Sequence, residues 1–484
     1  MSIAQKLKQL TKDTTIYGIS TILGRFLNFL LVPFYTYVFS RADYGIVANV
    51  YSFIALMNIF YIYGIDVAYL RYSTNEDENK QKRNYSTALV SVFFTSILIS
   101  LIILLSYKNY YLLIGLDENH KRIIYYILLI LMLDAISAIP FINLRLFRKA
   151  KNFALIKFSN ILVNVILNIV LIKYFKLGID AVFISNLIAS LFSLILLAPD
   201  IKNNFVLIFD KENYIKMIKF GIAFLPAGLA SMIIQVIDRP ILQQMTNLDT
   251  VGLYQANYKL GIFMMLFVSV FQYAWQPFLL AHSQEKDSKQ VISKVLTYFT
   301  LLGSIILIFL TYFIFLIATT KIFGKSLIAF NYWDGLYIVP IVLLGYLFNG
   351  VYVVLTAGML IKEKTYLAPL FTGTGALVNV VANILLIPKF NILGAAFATF
   401  LSYFVMSVMI YIANQKYYHI QFEVDKLVKI FILNALFLSV FYYQIDIIKS
   451  SIVLPFISML VFIILIFVLK ILNKDMLKVI LRLK

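Results

Sequence analysis

Apolar residues along this chain run in long blocks, and stretches of eighteen or more recur between Thr14 and Leu472, separated by short polar segments. At about 1.5 Å of rise per residue such a block crosses about 30 Å of hydrocarbon as a helix, whereas barrel strands would alternate over about ten residues. The pattern predicts fourteen helical spans, at 14–38, 45–71, 85–107, 122–146, 153–172, 180–199, 217–245, 251–280, 291–319, 328–361, 366–387, 392–414, 427–445 and 450–471. The longest polar segments, near 72–84, 108–121 and 200–216, are too short to fold as a soluble catalytic domain. The fold class is therefore an all-α polytopic membrane protein.

The two halves of the pattern resemble each other at an offset of about 207 residues, rising to about 215. Pro33 and Gly45 stand twelve apart, as do Pro240 and Gly252, each pair joining a first span to a second. KAKNFALI at 149–156 matches KEKTYLAP at 362–369, and NVILNIVLIKYFKLG at 164–178 matches NVVANILLIPKFNILG at 379–394. The second match sets Asn164 and Asn168 against Asn379 and Asn383. An offset that carries a span onto one of the same orientation needs an even number of helices per repeat, here six. The expected plan is two six-helix lobes, 14–200 and 217–415, related by a pseudo-two-fold axis along the membrane normal. A cytoplasmic linker at 201–216 joins them, and two additional helices follow at 426–472. Residues 1–13 are an amphipathic N-terminus and 473–484 a basic tail, both expected in the cytoplasm. No small-x-small cleavage site follows the first span, which is expected to be retained.

A chain that is 62% hydrophobic and only 13% charged cannot be solvated as a soluble domain. Its formal charge of +19 reflects topology more than nucleic acid. With the N-terminus cytoplasmic, 29 of the 42 lysines and arginines fall at cytoplasmic ends and ten at outer ends. The positive-inside rule then puts both termini in the cytoplasm and the basic ends against anionic membrane lipids. The absence of cysteine excludes disulfides and thiolate metal sites, and His120, His282 and His419 fall in loops, so neither metal nor cofactor is expected. No GxxxxGK[ST] segment is present to drive a pump.

Three cations remain, Arg25, Arg239 and Lys259, and all lie inside spans. A central arginine costs roughly 2.5–3.5 kcal/mol on insertion, so each needs a reason to be there. Arg25 shares a helix face with Thr14, Gly18, Thr21 and Asn28; Gln235 and Gln243 stripe the seventh span, and Gln255 and Lys259 the eighth. By helical rise Arg25 lies roughly 16 Å from the cytoplasmic end, Arg239 about 10 Å further out, and Lys259 roughly 12 Å below its outer end. The three are expected to form an ascending series in a cavity between lobes, with Asn28, Gln235 and Gln255 as polar neighbours. The alternative is that each cation pairs with a carboxylate, and Asp66, Asp134 and Asp238 are available. The same aspartates are the candidates for coupling to H+ or Na+. Asn164, Asn168, Asn379 and Asn383 are expected to be interhelical hydrogen bonds rather than ligands.

The opening TTIYGISTILGRFLNFLLVPFYTYVFSRADYGIVANVYS, the segment LFRKAKNF and the two-lobed layout resemble the polysaccharide repeat-unit flippases, the O-antigen and capsule exporters of the MOP superfamily. The resemblance implies a transporter rather than an enzyme, in the bacterial cytoplasmic membrane. Its cargo would be an undecaprenyl-pyrophosphate-linked oligosaccharide, crossing to the outer leaflet by alternating access of two lobes. Arg25 would then be the midpoint contact for the pyrophosphate, with Arg239 and Lys259 drawing the head group outward. A polysaccharide polymerase and a chain-length regulator are the partners it implies. The alternatives are a lipid II flippase, which shares the cation logic, and a multidrug antiporter, which should line its cavity with carboxylates. A membrane glycosyltransferase or polymerase would carry a long outer loop or a DxD motif, and this chain has neither.

Overall fold

The computed structural model describes residues 3–106, 114–116, 120–282, 285, 287–322 and 324–472, and these are helical almost throughout. The first helices are α1 (Ile3–Val38), α2 (Arg41–Ile62), α3 (Ile65–Ser73), α4 (Glu78–Leu105), α5 (Arg122–Leu146), α6 (Ala150–Lys173) and α7 (Asp180–Asn204). Next come α8 (Lys211–Ile222), α9 (Leu225–Val236), α10 (Asp238–Met245), α11 (Leu248–Tyr258), the 3-10 turn Lys259–Gly261, α12 (Ile262–His282) and α13 (Ser288–Thr319). A minimal antiparallel hairpin, β1 (Lys321–Ile322) with β2 (Lys325–Ser326), leads to the 3-10 segment Phe330–Ile338. The chain ends on α14 (Val339–Ile361), α15 (Ala368–Phe390), α16 (Ile392–Tyr417), α17 (Val424–Tyr443), α18 (Ile445–Ser450) and α19 (Val453–Val468).

Every predicted span maps onto one of these helices or a broken run of them. Among the described residues ten helices are long and apolar enough to cross a membrane, and α8 with α9, bent by 41°, makes an eleventh. Ile22–Val38 and α19 are shorter apolar helices. The basic tail at 473–484 lies outside the described residues.

Breaks within spans have local causes. Tyr63 and Gly64 take left-handed conformations (φ 37° and 74°), which divides the second predicted span into α2 and α3. Pro226 sits in the first turn of α9. Pro240 has no N–H for the carbonyl of Val236, and the helix restarts there, from α9 to α10.

The chain divides into two compact units, Met1–Gln255 with Ala368–Ala395, and Ala256–Leu367 with Ala396–Lys484. In the first, α6 packs on α7 and α1, α5 on α7 and α4, and α9 on α15 and α2. In the second, α13 packs on α14 and α17, and α12 on α14.

The duplication is visible in the turns. Arg148 and Glu363 are both left-handed at φ 53°, and the next residues bond alike, Lys149 N to Leu144 O and Lys364 N to Met359 O. These turns are 215 residues apart, two more than the match of KAKNFALI with KEKTYLAP implies. Gly178 (φ 58°) and Asn391 (φ 52°), 213 apart, precede α7 and α16, and Asp77 and Asp287, 210 apart, precede α4 and α13.

Candidate functional site

The proline break in the seventh span builds a site. At Pro240 the regular hydrogen-bond ladder is interrupted, and the Arg239 N–H donates to Asp238 Oδ1 at 3.0 Å. The Gln235 carbonyl, one turn back, accepts from the Arg239 guanidinium. Successive residues of an intact helix point about 100° apart, but here Asp238 and Arg239 meet, Arg239 Nη1 standing 2.6 Å from Asp238 Oδ1. Arg239 Nε donates to Gln255 Oε1 at 3.1 Å, and the Tyr254 hydroxyl donates to Asp238 Oδ2 at 2.5 Å. The guanidinium carbon lies 5.6 Å from the centre of the Tyr254 ring. The side chains of Arg239 and Asp238 are 6% and 0% exposed, so this is a buried, hydrogen-bonded ion pair.

Arg25 and Asn28 lie elsewhere in the first unit, both exposed on α1. Thr14 and Thr21, which the helix spacing puts on the same face, have side chains outside the described residues. Lys259, in the 3-10 turn Lys259–Gly261 of the second unit, is also exposed. Gln235 is exposed, and Gln255 is half-buried beneath Arg239. Asp66 is half-buried on α3, and Asp134 on α5 accepts from Ser190 Oγ at 2.7 Å. Thus Asp238, Arg239, Gln235 and Gln255 are brought into one cluster, while Asp134 belongs to a second polar contact between α5 and α7. Asn168 is bound by Tyr35 of α1, whose hydroxyl donates to Asn168 Oδ1 at 2.7 Å, and it donates in turn to Asn164 Oδ1 at 2.6 Å. Asn383 makes the equivalent bond to Asn379 Oδ1, at 2.9 Å, within α15.

Sequence reasoning missed two arrangements. Asp200, taken as the start of a polar segment, is a buried carboxylate that accepts from Asn143 Nδ2 at 3.0 and 3.1 Å, while the Tyr69 hydroxyl holds Asn143 Oδ1 at 2.6 Å. Its signal was the helical spacing to Asn204, whose amide also reaches Asp200. The second is the pairing of α2 with α10 and α11: Asn49 Nδ2 donates to Gln243 Oε1 at 2.6 Å, and Arg41 stands 3.6 Å from Asp249. Nothing local to either segment signals that pairing.

Chemically the cluster is a carboxylate whose cation is a tethered guanidinium, so any cation reaching Asp238 competes with Arg239. An exposed guanidinium such as that of Arg25 presents a fork of donors that matches phosphate oxygens two at a time. No group of three or more histidine or acidic side chains suited to a metal occurs among the described residues.

The sequence profile of a family described as polysaccharide biosynthesis protein matches residues 10–282. No curated protein matches the chain in sequence. Among solved structures, the lipid II flippase MurJ in an inward closed conformation superposes with a TM-score of 0.73 at 15% identity, over 93% of this chain and 98% of that one. An inward-facing multidrug resistance MATE transporter of the MOP superfamily gives 0.69 at 10% identity, over 81% and 94%. The Vibrio cholerae MATE transporter VcmN in its bent form gives 0.57 at 13% identity, over 86% and 100%. At these identities the likeness is one of fold.

Proposed function

The chain belongs to the polysaccharide biosynthesis protein family, and from that membership we propose that it is a flippase for undecaprenyl-pyrophosphate-linked polysaccharide repeat units, of the O-antigen or capsule kind. It moves them from the inner to the outer leaflet of the bacterial cytoplasmic membrane by alternating access, with both termini cytoplasmic. The observation that carries this reading is Arg25, an arginine set in an apolar helix and exposed there rather than packed away. A pyrophosphate carries about two negative charges and cannot enter hydrocarbon alone; a guanidinium, charged at every physiological pH, compensates it with paired donors.

Arg239 enters differently from Arg25. Asp238 neutralises it, so it contributes to an anionic cargo only when a proton or Na+ takes its place at the carboxylate. Cation binding at Asp238 and release of Arg239 toward the cargo are thereby one event. This supplies a coupling step without an ATPase.

The test is export in a strain that makes a surface polysaccharide. Arg25→Ala abolishes export while the protein still inserts, and Arg25→Lys recovers part of it, because an ammonium keeps the charge and loses the fork. Wild-type surface polysaccharide in the Arg25→Ala strain removes the assignment. The likeness to MurJ favours one second reading, a lipid II cargo with the same pyrophosphate chemistry. Accumulation of lipid II, rather than of a repeat-unit lipid, on depletion of the protein selects it.

A further inference from the structure

Each repeat carries a groove between its third, fourth and sixth spans, and six lining positions of the first groove have counterparts in the second. In the first unit it has a volume of about 510 Å³ and is lined by Val90 of α4, Ile136 of α5, and Leu191, Leu194, Ile195 and Ala198 of α7. In the second it has about 560 Å³ and is lined by Thr300 of α13, Val351 of α14, and Phe404, Ser407, Val408 and Tyr411 of α16. The offsets are those of the turns that bound each element: 210 for Val90 and Thr300, 215 for Ile136 and Val351, and 213 for the four residues of the last helix.

The second groove is covered by the chain itself. Leu427, Phe431, Asn434 and Leu438, spaced along one face of α17, complete its wall. The rings of Phe431 and Phe348 stack with centroids 5.0 Å apart, and Asn434 Nδ2 donates to Ser304 Oγ at 2.7 Å. Among the described residues the first groove is lined by α4, α5, α7 and Phe205, and its rim side chains Phe93, Leu191 and Ile195 are exposed.

We propose that the first groove receives a membrane-spanning helix of another protein, seated as α17 is seated on the duplicate. Two substitutions between the repeats define that helix. Leu191 and Ala198 stand where Phe404 and Tyr411 stand in the covered groove, which leaves room for two aromatic side chains of the partner about seven residues, or two turns, apart. The position of Ser304 is taken by the exposed Phe94, so the polar anchor is missing and the partner docks through apolar packing alone. Association of that kind in lipid is weak and reversible, unlike the permanent seat of α17.

The chain has no cysteine, which makes cross-linking clean. The full-length protein carrying Leu194→Cys is reconstituted with a synthetic probe, a leucine–alanine membrane helix with two phenylalanines seven residues apart and one cysteine. Leu162→Cys, exposed on α6 away from the groove, is the control. The expected disulfide yield at Leu194→Cys is about fivefold above control. Adding Leu191→Phe and Ala198→Phe, which gives the first groove aromatics at the places the second has them, should return it to control. Equal yields at the two sites would mean that lipid chains alone fill the groove and overturn the proposal. A disulfide dimer of the chain through Leu194→Cys overturns it as well, by making the occupant a second copy.

Discussion

Gly45 and Gly252 lie back to back, the first turns of α2 crossing the first turns of α11. A Cβ on Gly45 would stand 3.2 Å from the Gly252 nitrogen and collide with the Leu248 carbonyl, and one on Gly252 would collide with the carbonyl of Arg41. These are duplicated positions, each twelve residues after its proline, and only glycine lets the two helices approach so closely. The Arg41–Asp249 pair and the Asn49–Gln243 bond flank the crossing. On the proposed topology it fastens the outer ends of the two first hairpins, so an exporter must part it once per cycle.

Gly45→Ala and Gly252→Ala should therefore each hold that crossing open. The measurement is labelling of a cysteine at Asn49→Cys by a membrane-impermeant maleimide, expected to rise several-fold in either glycine variant. Labelling that does not change would show that the crossing is not the barrier.

The buried Asp238–Arg239 pair makes a stability prediction. Asp238→Asn leaves a guanidinium in a water-poor site without its counter-charge, at a cost of about 3 kcal/mol. The double variant Asp238→Asn, Arg239→Gln removes both charges and should recover most of that loss. Thermal unfolding of the purified proteins in detergent measures both.

The same pair makes a coupling prediction. If a cation at Asp238 frees Arg239, transport by Asp238→Asn in proteoliposomes should no longer respond to an imposed H+ or Na+ gradient, while Asp66→Asn and Asp134→Asn still do. Full gradient dependence in all three variants removes the coupling step.

The helical layout was legible because an apolar run long enough to cross a bilayer has few other uses, and the duplication because glycine and proline keep their spacing where backbones must bend or touch. The pairing of Asp238 with Arg239 was not. An intact helix would point the two apart, and only the loss of the Pro240 N–H lets the local backbone turn them together. The Asn49–Gln243 bond was illegible for another reason: its partners lie 194 residues apart, and neither segment carries a trace of the other. The burial of Asp200 was hidden because its partners Asn143 and Tyr85 arrive from α5 and α4.

Two left-handed glycines separate backbone strain from crowding. Gly178 (φ 58°) has open space where a Cβ would go, whereas at Gly64 (φ 74°) a Cβ would lie 2.9 Å from the Gly221 carbonyl carbon. Alanine at either position takes on about 1–2 kcal/mol of left-handed strain, and at Gly64 it must also push α3 away from α8. Gly64→Ala should lower the Tm more than Gly178→Ala, and equal shifts would show that the α3–α8 contact yields without cost.

The duplicated asparagines differ in one partner, and that difference is testable. Asn168 Oδ1 receives the Tyr35 hydroxyl, but in the second repeat Asn383 Oδ1 and Asn379 Nδ2 are buried without a hydrogen bond among the described residues. Leu242, buried and 207 residues after Tyr35, has no hydroxyl to offer. A buried polar atom without a partner costs about 1–3 kcal/mol, so replacing Asn379 and Asn383 together with leucine should leave stability unchanged or raise it, whereas Asn168→Leu strands the Tyr35 hydroxyl and should lower it. Unfolding midpoints of the two variants decide this. A doubly substituted protein that is stable but has lost transport would mark the Asn379–Asn383 pair as kept for the transport cycle.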